Sequence, residues 1–301
     1  MSELPVISPE VRDAVADGRP VVALESTITT HGLPQPRNAD IAKEAEETLR
    51  RWEVVPATVG VVDGVPKVGL TPDELHRLAT EDGVAKASTR DLPVLAAKSR
   101  SAGTTVAATA WLAHRAGVAV FVTGGLGGVH RGAAESFDES PDLPLLAQVP
   151  ITVITAGVKS VLDQAATLER METLGITLVG YRTHRFPGFF VADSGLDVPH
   201  RVDTPEEVAA VMTARRRLGL RGATLVANPV PLPAQLDPGL HDRALAEAWR
   251  TARERGISGP ETTPFLLEFI RAATGERSLE ANIAAYFHNI AVAAECAHAH
   301  C

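Results

Sequence analysis

The sequence predicts a three-layer α/β/α fold, in which helices cover both faces of a mostly parallel, mixed central sheet. Short runs rich in Val, Ile, Leu and Ala alternate with longer helical segments along most of the chain, which is typical of α/β folds. One Asp-Gly pair lies between two apolar runs and predicts a hairpin, which adds an antiparallel pair of strands. The 301 residues contain no internal repeat and no linker-like stretch, so we expect a single domain over 1–301.

The predicted strands open the successive strand–helix units. Each is a short apolar run bounded by Gly, Pro or Asn, a pattern that predicts a buried strand of a parallel sheet. These runs lie within 20–26, 117–125, 149–157, 176–182 and 223–229. The segment 57–70 differs, because Asp63-Gly64 stands between its two apolar runs and predicts the hairpin.

The predicted helices lie between and after these strands. Their apolar residues recur every three or four positions, so that one side of each helix can pack against the sheet. The helical segments are 39–52, 104–116, 159–174, 205–218, 241–255 and 278–297. The Pro-rich segment 228–239 is the best candidate for a domain boundary, but we expect it to be a long loop inside one domain.

Composition and charge argue against several classes of function. The 29 basic and 37 acidic residues give a net charge of −8 without a basic stripe, so duplex nucleic acid is not an expected partner. No apolar run is long enough to span a membrane, and the first residues do not resemble a signal peptide. Two cysteines in the last six residues cannot form a disulfide framework, and the His/Cys tail around them predicts a frayed end rather than a metal site. We therefore expect a soluble, cytoplasmic protein.

The segment 123–143 is the densest in groups that can bind a ligand. It follows a predicted strand and begins with four glycines in positions 124–128, where backbone N–H groups can approach a ligand closely. The spacing matches neither a dinucleotide fingerprint nor a Walker A loop. Arg131 suits phosphate or carboxylate recognition, and the carboxylates that follow could hold a hard divalent cation with several waters. The alternative is a flexible glycine loop before a solvated acidic stretch.

Lys159 follows the predicted strand at 149–157 and falls near the first turn of the next predicted helix. Burial and the positive end of a helix dipole would both disfavour its ammonium form, and a neutral lysine is a nucleophile towards a carbonyl or iminium carbon. The alternative is a surface lysine paired with Asp163 four residues later. The pattern favours neither.

Glu25 stands directly after the strand at 20–26 and is followed by several hydroxyl side chains. A carboxyl group that is partly desolvated there would have a raised pKa and could act as a general acid. The alternative is a carboxylate held by hydroxyls for structural reasons. Lys86 and Arg90, together with the Gly and Thr residues at 102–105 that open a predicted helix, are suited to a phosphate site.

A series of blocks in this sequence resembles the pseudouridine-5′-phosphate glycosidase family, also called indigoidine synthase A-like. The blocks span about 20–297 and occur in the order ALESTITTHGLP, KASTRDLP, GTTVAAT, TGGLGGVHRGAAESFDESPDL, AGVKSVLD, TLERMETLG, FPGFF, VANPVP, TPFLLE and SLEANIAAYFHN. The resemblance implies an enzyme that reversibly cleaves the C–C glycosidic bond of pseudouridine 5′-phosphate to uracil and ribose 5-phosphate. It also implies one divalent cation per subunit, usually Mn²⁺, and a homotrimer.

The resemblance also implies roles for individual residues. Lys159 corresponds to the nucleophile that forms a Schiff base with the sugar, Glu25 to the proton donor and Asp138 to the metal-binding aspartate. Active-site and substrate contacts are implied for Lys86, Val106, Ser140, Pro141, Asp142, His130 and Asn289, and less directly for Thr123, Gly124 and Arg131. Glu139 and Pro141 depart from the family pattern, which could change the stiffness of this loop.

Two other functions remain open on the residues alone. A Schiff-base aldolase or lyase acting on another sugar phosphate would use the same lysine and phosphate site but no pyrimidine pocket. A non-catalytic protein that binds a phosphorylated nucleoside would need only the phosphate and base contacts. The direction of the reaction in the cell, the metal bound and the pathway are also open.

Overall fold

The structure is a computed structural model, and it describes residues 5–301, apart from the side chain of residue 260. The first four residues lie outside this range. They are part of the single domain predicted over 1–301 and of the N-terminal stretch that does not resemble a signal peptide.

Eleven strands form the central sheet of the described chain. They are β1 (Val6–Ile7), β2 (Val21–Leu24), β3 (Val55–Val62), β4 (Val65–Val68), β5 (Ala85–Ala87), β6 (Ala102–Thr104), β7 (Val120–Val122), β8 (Thr152–Thr155), β9 (Thr177–Tyr181), β10 (Arg201–Val202) and β11 (Thr224–Ala227). Their spatial order is β1-β4-β3-β2-β7-β8-β11-β9-β10, and β6 joins β5 to β3. All pairs are parallel except β3 with β4 and β3 with β6.

The predicted hairpin is confirmed as the connection between β3 and β4. Val62 pairs with Val65 across the turn, and Asp63 and Gly64 both have positive φ angles, of 49° and 80°. A two-residue hairpin turn with positive φ at both positions matches the right-handed twist of the strands. This hairpin makes the sheet mixed, as predicted.

Helices cover both faces of the sheet in the described residues. They are α1 (Pro9–Ala16), α2 (Arg37–Arg51), α3 (Pro72–Thr80), α4 (Leu92–Ala97), α5 (Val106–Arg115), α6 (Ala133–Ser136), α7 (Asp142–Leu146), α8 (Gln164–Thr173), α9 (Pro205–Arg217), α10 (Pro238–Glu254), α11 (Thr262–Ala273) and α12 (Arg277–His300). The predicted three-layer α/β/α fold is confirmed. Of these helices, none is long and apolar enough to cross a membrane.

The two apolar cores follow from the alternation of side chains along the strands. Ala23 of β2 points to one face, where α1, α5 and α10 contribute buried residues. Its neighbours Val22 and Leu24 point to the other face, where they join buried residues of α2, α9 and α12. Because both faces are covered, the central strands are apolar throughout and were recognisable from sequence.

Two predicted helix starts are wrong. The segment 159–174 becomes helical only at Gln164, where Asp163 caps α8 by accepting a hydrogen bond from the Ala166 N–H at 3.0 Å. The segment 104–116 becomes helical only at Val106, because Thr104 ends β6 and Thr105 is the N-cap of α5. The short helices α1, α3, α4, α6 and α7, and also α11, were not predicted.

Candidate active site

A cavity of about 830 Å³ opens where β2 and β8 end, and we call it the central cavity. Its lining includes most of the residues that the sequence predicted for the site: Glu25, Lys86, Val106, His130, Asp138, Ser140, Pro141, Asp142 and Lys159. Ligands of open α/β sheets bind at the carboxyl ends of the strands, so the position fits a functional site. Thr123, Gly124, Arg131 and Asn289 were also predicted but do not line this cavity.

Glu25 lies at the end of β2 and is only 6% exposed. Thr27 donates a hydrogen bond from its hydroxyl to one carboxylate oxygen, and Thr123, which follows β7, donates to the other. The hydroxyls expected from the sequence therefore hold the carboxylate, while Glu25 still lines the central cavity. The structural alternative, a carboxylate held by hydroxyls, is thus observed, and the role of Glu25 as a general acid stays a prediction.

Lys159 lies outside the helix that was predicted to contain it. Its backbone N–H donates to the Leu126 carbonyl at 3.1 Å, and its ammonium group donates to the Gly125 carbonyl at 2.9 Å. Because α8 begins only at Gln164, Lys159 does not lie in the first turn of a helix, and that part of the prediction is wrong. Asp163 caps α8, and no ion pair joins it to Lys159 among the described residues.

Lys86 lies on β5 and shares the central cavity with Lys159. Its side chain reaches the open cavity, but the surrounding walls replace much of its water. This desolvation lowers the pKa of Lys86 below that of an ordinary lysine, and the positive charge of Lys159 lowers it further. Asp142 and Glu25 act in the opposite direction. Two lysines and two carboxylates are thus electrostatically coupled at one site.

Asp142 ties the glycine loop to the start of α5. One of its carboxylate oxygens accepts a hydrogen bond from the Gly127 N–H at 2.9 Å, and the other accepts one from the Ala107 N–H at 2.9 Å. The carboxylate is only 5% exposed. A side chain at Gly127 would overlap Ser140 and crowd Asp142, so this position requires glycine. Asp142 therefore shapes the cavity wall through the two segments that it joins.

Asn289 forms hydrogen bonds with residues at the ends of two strands next to the site. It is buried on α12, where its amide N–H donates to the Thr123 carbonyl at 2.9 Å and its oxygen accepts from the Asn228 amide at 2.9 Å. Thr123 is likewise fully buried, and a side chain at Gly124 would approach the Asn282 amide oxygen to 3.2 Å. These predicted residues thus hold the strand ends beneath the cavity. Asn228 was missed, although an Asn-Pro pair directly after a strand is a detectable signal.

Arg131 does not face the central cavity. Its guanidinium lies 5.5 Å from the centre of the Trp249 ring, and the residue lines a separate cavity of about 820 Å³. The structure therefore does not bring Arg131 together with Lys86 and Lys159.

The predicted phosphate site at the start of α5 is partly rearranged. Thr104 is fully buried in β6, and its hydroxyl donates to the Val59 carbonyl at 2.8 Å. Thr105, the N-cap of α5, does line the central cavity, as do Lys86 and Arg90. Two cationic side chains near a helix N-terminus remain a suitable site for an anion.

The neighbouring carboxylates of Asp138 and Glu139 have different surroundings. Glu139 pairs with Arg170 at 2.9 Å, whereas Asp138 is half-exposed and lines the central cavity. The ring of His130 lies 3.7 Å from the Asp138 carboxylate. Among the described residues, no three His, Cys, Asp or Glu side chains are grouped so that they could hold a metal. A single carboxylate fits a hard cation that keeps most of its waters, and does not fit an ion enclosed by protein ligands.

Residues 10–299 match the protein family described as indigoidine synthase A like protein. The chain belongs to this family. It is 62% identical, over 98% of both chains, to a protein of Saccharopolyspora erythraea named pseudouridine-5′-phosphate glycosidase. It is also 57% identical to the protein of that name from Frankia alni, over 97% of this chain and 81% of the relative. The family inferred from the sequence blocks is therefore confirmed.

Two solved structures share the family fold. The prealnumycin C-glycosynthase AlnA, in complex with ribulose 5-phosphate, superposes with a TM-score of 0.92 at 34% identity, covering 100% of this chain and 98% of that one. An indigoidine synthase A-like protein from Thermotoga maritima superposes with a TM-score of 0.88 at 35% identity, covering 99% and 97% of the two chains.

The double hydrogen bond of Asp142 leads to a stability prediction. In Asp142→Asn, the amide oxygen can accept only one of the two backbone N–H groups and the NH₂ group faces the other. We expect the free energy of unfolding to fall by about 1–3 kcal/mol in urea denaturation. Asp138→Asn is the matched control, because among the described residues no backbone N–H donates to its half-exposed carboxylate. Equal effects of both substitutions would contradict the role of Asp142.

Proposed function

We propose that this protein reversibly cleaves the C–C glycosidic bond of pseudouridine 5′-phosphate and yields uracil and ribose 5-phosphate. The observation that carries the proposal is the meeting of Lys159, Glu25 and Lys86 at one cavity, although the three residues lie on separate parts of the chain. Relatives 57–62% identical bear the name of this activity. The complex of AlnA with ribulose 5-phosphate supports a sugar phosphate as the ligand class.

The chemistry requires more than the two carboxylates of an ordinary O-glycosidase. The leaving group is a carbon atom of uracil, which must gain a proton as its bond to C1′ breaks. The ribose ring opens as the C1′–O4′ bond breaks, and O4′ keeps the electron pair and takes up a proton. The neutral amine of Lys159 then adds to C1′ and loses a proton. The nitrogen lone pair then forms a C=N bond while the electrons of the C1′–C5 bond pass to uracil, which takes up a proton. Water hydrolyses the remaining imine and releases ribose 5-phosphate and the free lysine.

Glu25 would serve as the proton donor in this sequence. It lines the same cavity as Lys159, and the hydroxyls of Thr27 and Thr123 fix its carboxyl group. The proton goes to the ring oxygen when the sugar opens or to the uracil carbon when the base departs. A fixed carboxyl group can exchange a proton without reorganising, which is what general acid catalysis requires.

Lys86, Arg90 and the start of α5 would bind the phosphate group. The two side chains supply positive charge, and the N-terminus of a helix favours an anion. This local arrangement explains how a protein of net charge −8 can bind a dianionic substrate.

Asp138 would hold a divalent cation such as Mn²⁺, one per subunit, with His130 beside it. The cation would supply positive charge and ordered waters that orient the pyrimidine. The exposed carboxylate of Asp138 in a roomy cavity supports this assignment. The homotrimer and the cytoplasmic location stay predictions from the resemblance and the sequence, and sedimentation of the purified protein tests the former.

The release of uracil tests the proposed function. The protein, incubated with pseudouridine 5′-phosphate and Mn²⁺, should release uracil and ribose 5-phosphate, measured by ultraviolet absorbance after chromatography. Removal of divalent cations with a chelator should slow the reaction, and added Mn²⁺ should restore it. If the protein cleaves no pseudouridine 5′-phosphate but acts on another sugar phosphate, the aldolase or lyase function is favoured.

Reductive trapping identifies the nucleophile. Borohydride added with ribose 5-phosphate should leave a ribosyl adduct on Lys159, which peptide mass mapping locates. Lys159→Met should lose the adduct and lower the rate of uracil release by at least about a thousandfold. Lys98→Met, at an exposed lysine outside the cavity, is the matched control and should keep the wild-type rate. An adduct on Lys86 instead would contradict the assignment.

The lowered pKa of Lys86 predicts how binding depends on pH. Ribitol 5-phosphate has no carbonyl group, so its binding reports the phosphate site without the covalent step. Its affinity should fall as the pH rises through the pKa of Lys86, which lies below the usual 10.5, because the neutral amine no longer attracts the phosphate. In Lys86→Arg the charge persists, so this decline should move to higher pH in calorimetric titrations. An unchanged decline would mean that another group causes it.

A further inference from the structure

Phe137 is unusual among the phenylalanines of this chain, all of which lie within the described residues. It is 86% exposed, whereas Phe121 and Phe186 lie in the core and the remaining ones are buried or partly buried. Only 4% of the residues are aromatic, so the protein leaves one of few such rings in solvent. A phenyl ring exposed in this way is available to cover the apolar face of a bound ligand.

The ring belongs to the central cavity. Phe137 lines it between Ser136 and Asp138, and no other Phe, Tyr or Trp is among the described residues of that lining. A flat, uncharged base inside this cavity would therefore find one benzene ring against which to stack.

The backbone holds Phe137 in a conformation that bulky residues rarely adopt. Its φ angle is 55°, in the left-handed region, at the end of the short helix α6. The Phe137 N–H donates to the Ala133 carbonyl at 2.7 Å, and the Asp138 carbonyl accepts from the His130 N–H at 3.0 Å. The loop is thus tied on both sides of the ring. A rare backbone conformation that is held in this way points to a functional constraint.

The charges that line the cavity decide which part of the substrate meets this ring. The segment 86–91 brings the cations Lys86 and Arg90, with Asp91 beside Arg90. The segment 136–139 brings no cation to the cavity, and its two carboxylates lie beside His130 and Arg170. A phosphate dianion is attracted to Lys86, Arg90 and the N-terminus of α5, which the proposed function assigns to it. Since C1′ must lie near Lys159, the phosphate extends towards the cations and the neutral base extends towards Phe137.

We propose that Phe137 stacks on the pyrimidine ring of the substrate and so makes the enzyme select a sugar phosphate that carries a planar base. This inference rests on the proposed function and adds a specificity-determining residue to it. The ring recognises the base by its face, and would also retain free uracil when the reaction runs towards synthesis.

The test compares a sugar phosphate that carries a base with one that lacks it. The dissociation constants of pseudouridine 5′-phosphate and ribose 5-phosphate are measured by calorimetry in the Lys159→Met background, in which turnover is blocked. Phe137→Ala and Phe137→Leu should weaken binding of pseudouridine 5′-phosphate about fivefold to a hundredfold, the range for loss of one base–aromatic stack. Both should leave the binding of ribose 5-phosphate unchanged, and Phe137→Tyr should bind both ligands as Phe137 does.

Two further measurements separate stacking from other roles of Phe137. Phe137→Gly removes the ring and also relieves the left-handed backbone, so a loss of base affinity in this variant does not come from strain at that position. With Lys159 intact, the alanine substitution should raise KM for pseudouridine 5′-phosphate more than it lowers kcat.

Several outcomes would overturn the inference. The binding of both ligands could be weakened equally, or the binding of neither could be weakened. Phe137→Leu could also bind pseudouridine 5′-phosphate as tightly as Phe137→Tyr does. A change of oligomeric state in Phe137→Ala without loss of base affinity would instead show that a second copy of the chain covers the ring. If the unmodified enzyme releases no uracil from pseudouridine 5′-phosphate, the proposed function itself fails. If the unmodified enzyme releases uracil but Phe137→Ala binds pseudouridine 5′-phosphate as tightly as before, only the stacking role of Phe137 is excluded.

Discussion

The register of three neighbouring parallel strands, β2, β7 and β8, sets the position of the polar groups that follow these strands at the site. Leu24 of β2 pairs with Val122 of β7, and Val122 pairs with Ile154 of β8. The next residues along β2 and β7 are Glu25 and Thr123, which therefore reach the same edge of the sheet at the same height and bond to each other. A slip of one residue in this register would turn these side chains to the other face of the sheet.

Buried polar groups then hold the loops beyond these strands. Asp142 joins the glycine loop to α5, and Asn289 joins α12 to the ends of β7 and β11. A buried polar group is costly unless it is hydrogen-bonded, so each of these contacts allows essentially one arrangement of the segments that it connects. The walls of the central cavity are therefore formed before a ligand binds, which reduces the ordering that binding would otherwise require. Asp138 is half-exposed and Phe137 is exposed, and both line the same cavity as Lys86 and Lys159.

The errors of the sequence analysis have a common physical cause: contacts between distant segments, and not neighbours in the sequence, decide where a side chain lies. Lys159 lies in a segment whose apolar spacing continues into α8, so periodicity alone extended the helix too far. In the structure, a bridge between Leu126 and Val158 and the hydrogen bond from the Lys159 N–H hold this segment against the glycine loop. The Asp at 163 was a helix-start signal that could have placed the boundary correctly. Arg131 was grouped with the phosphate site because it is near the glycines in sequence, yet its side chain lies over Trp249.

The sequence by itself determined the strand–helix alternation, the hairpin at Asp63-Gly64 and the family, because these depend on local conformational preference and on ordered blocks of residue types. It also placed Glu25, Lys86 and Lys159 at predicted strand ends or beside a predicted phosphate site. Only the tertiary structure decided which polar groups meet the central cavity and which are used to hold its walls. That division depends on hydrogen bonds between segments far apart in the chain, such as Asp142 with Ala107 and Asn289 with Thr123. The exposure of Phe137 depends in the same way on a left-handed turn that no residue pattern announces.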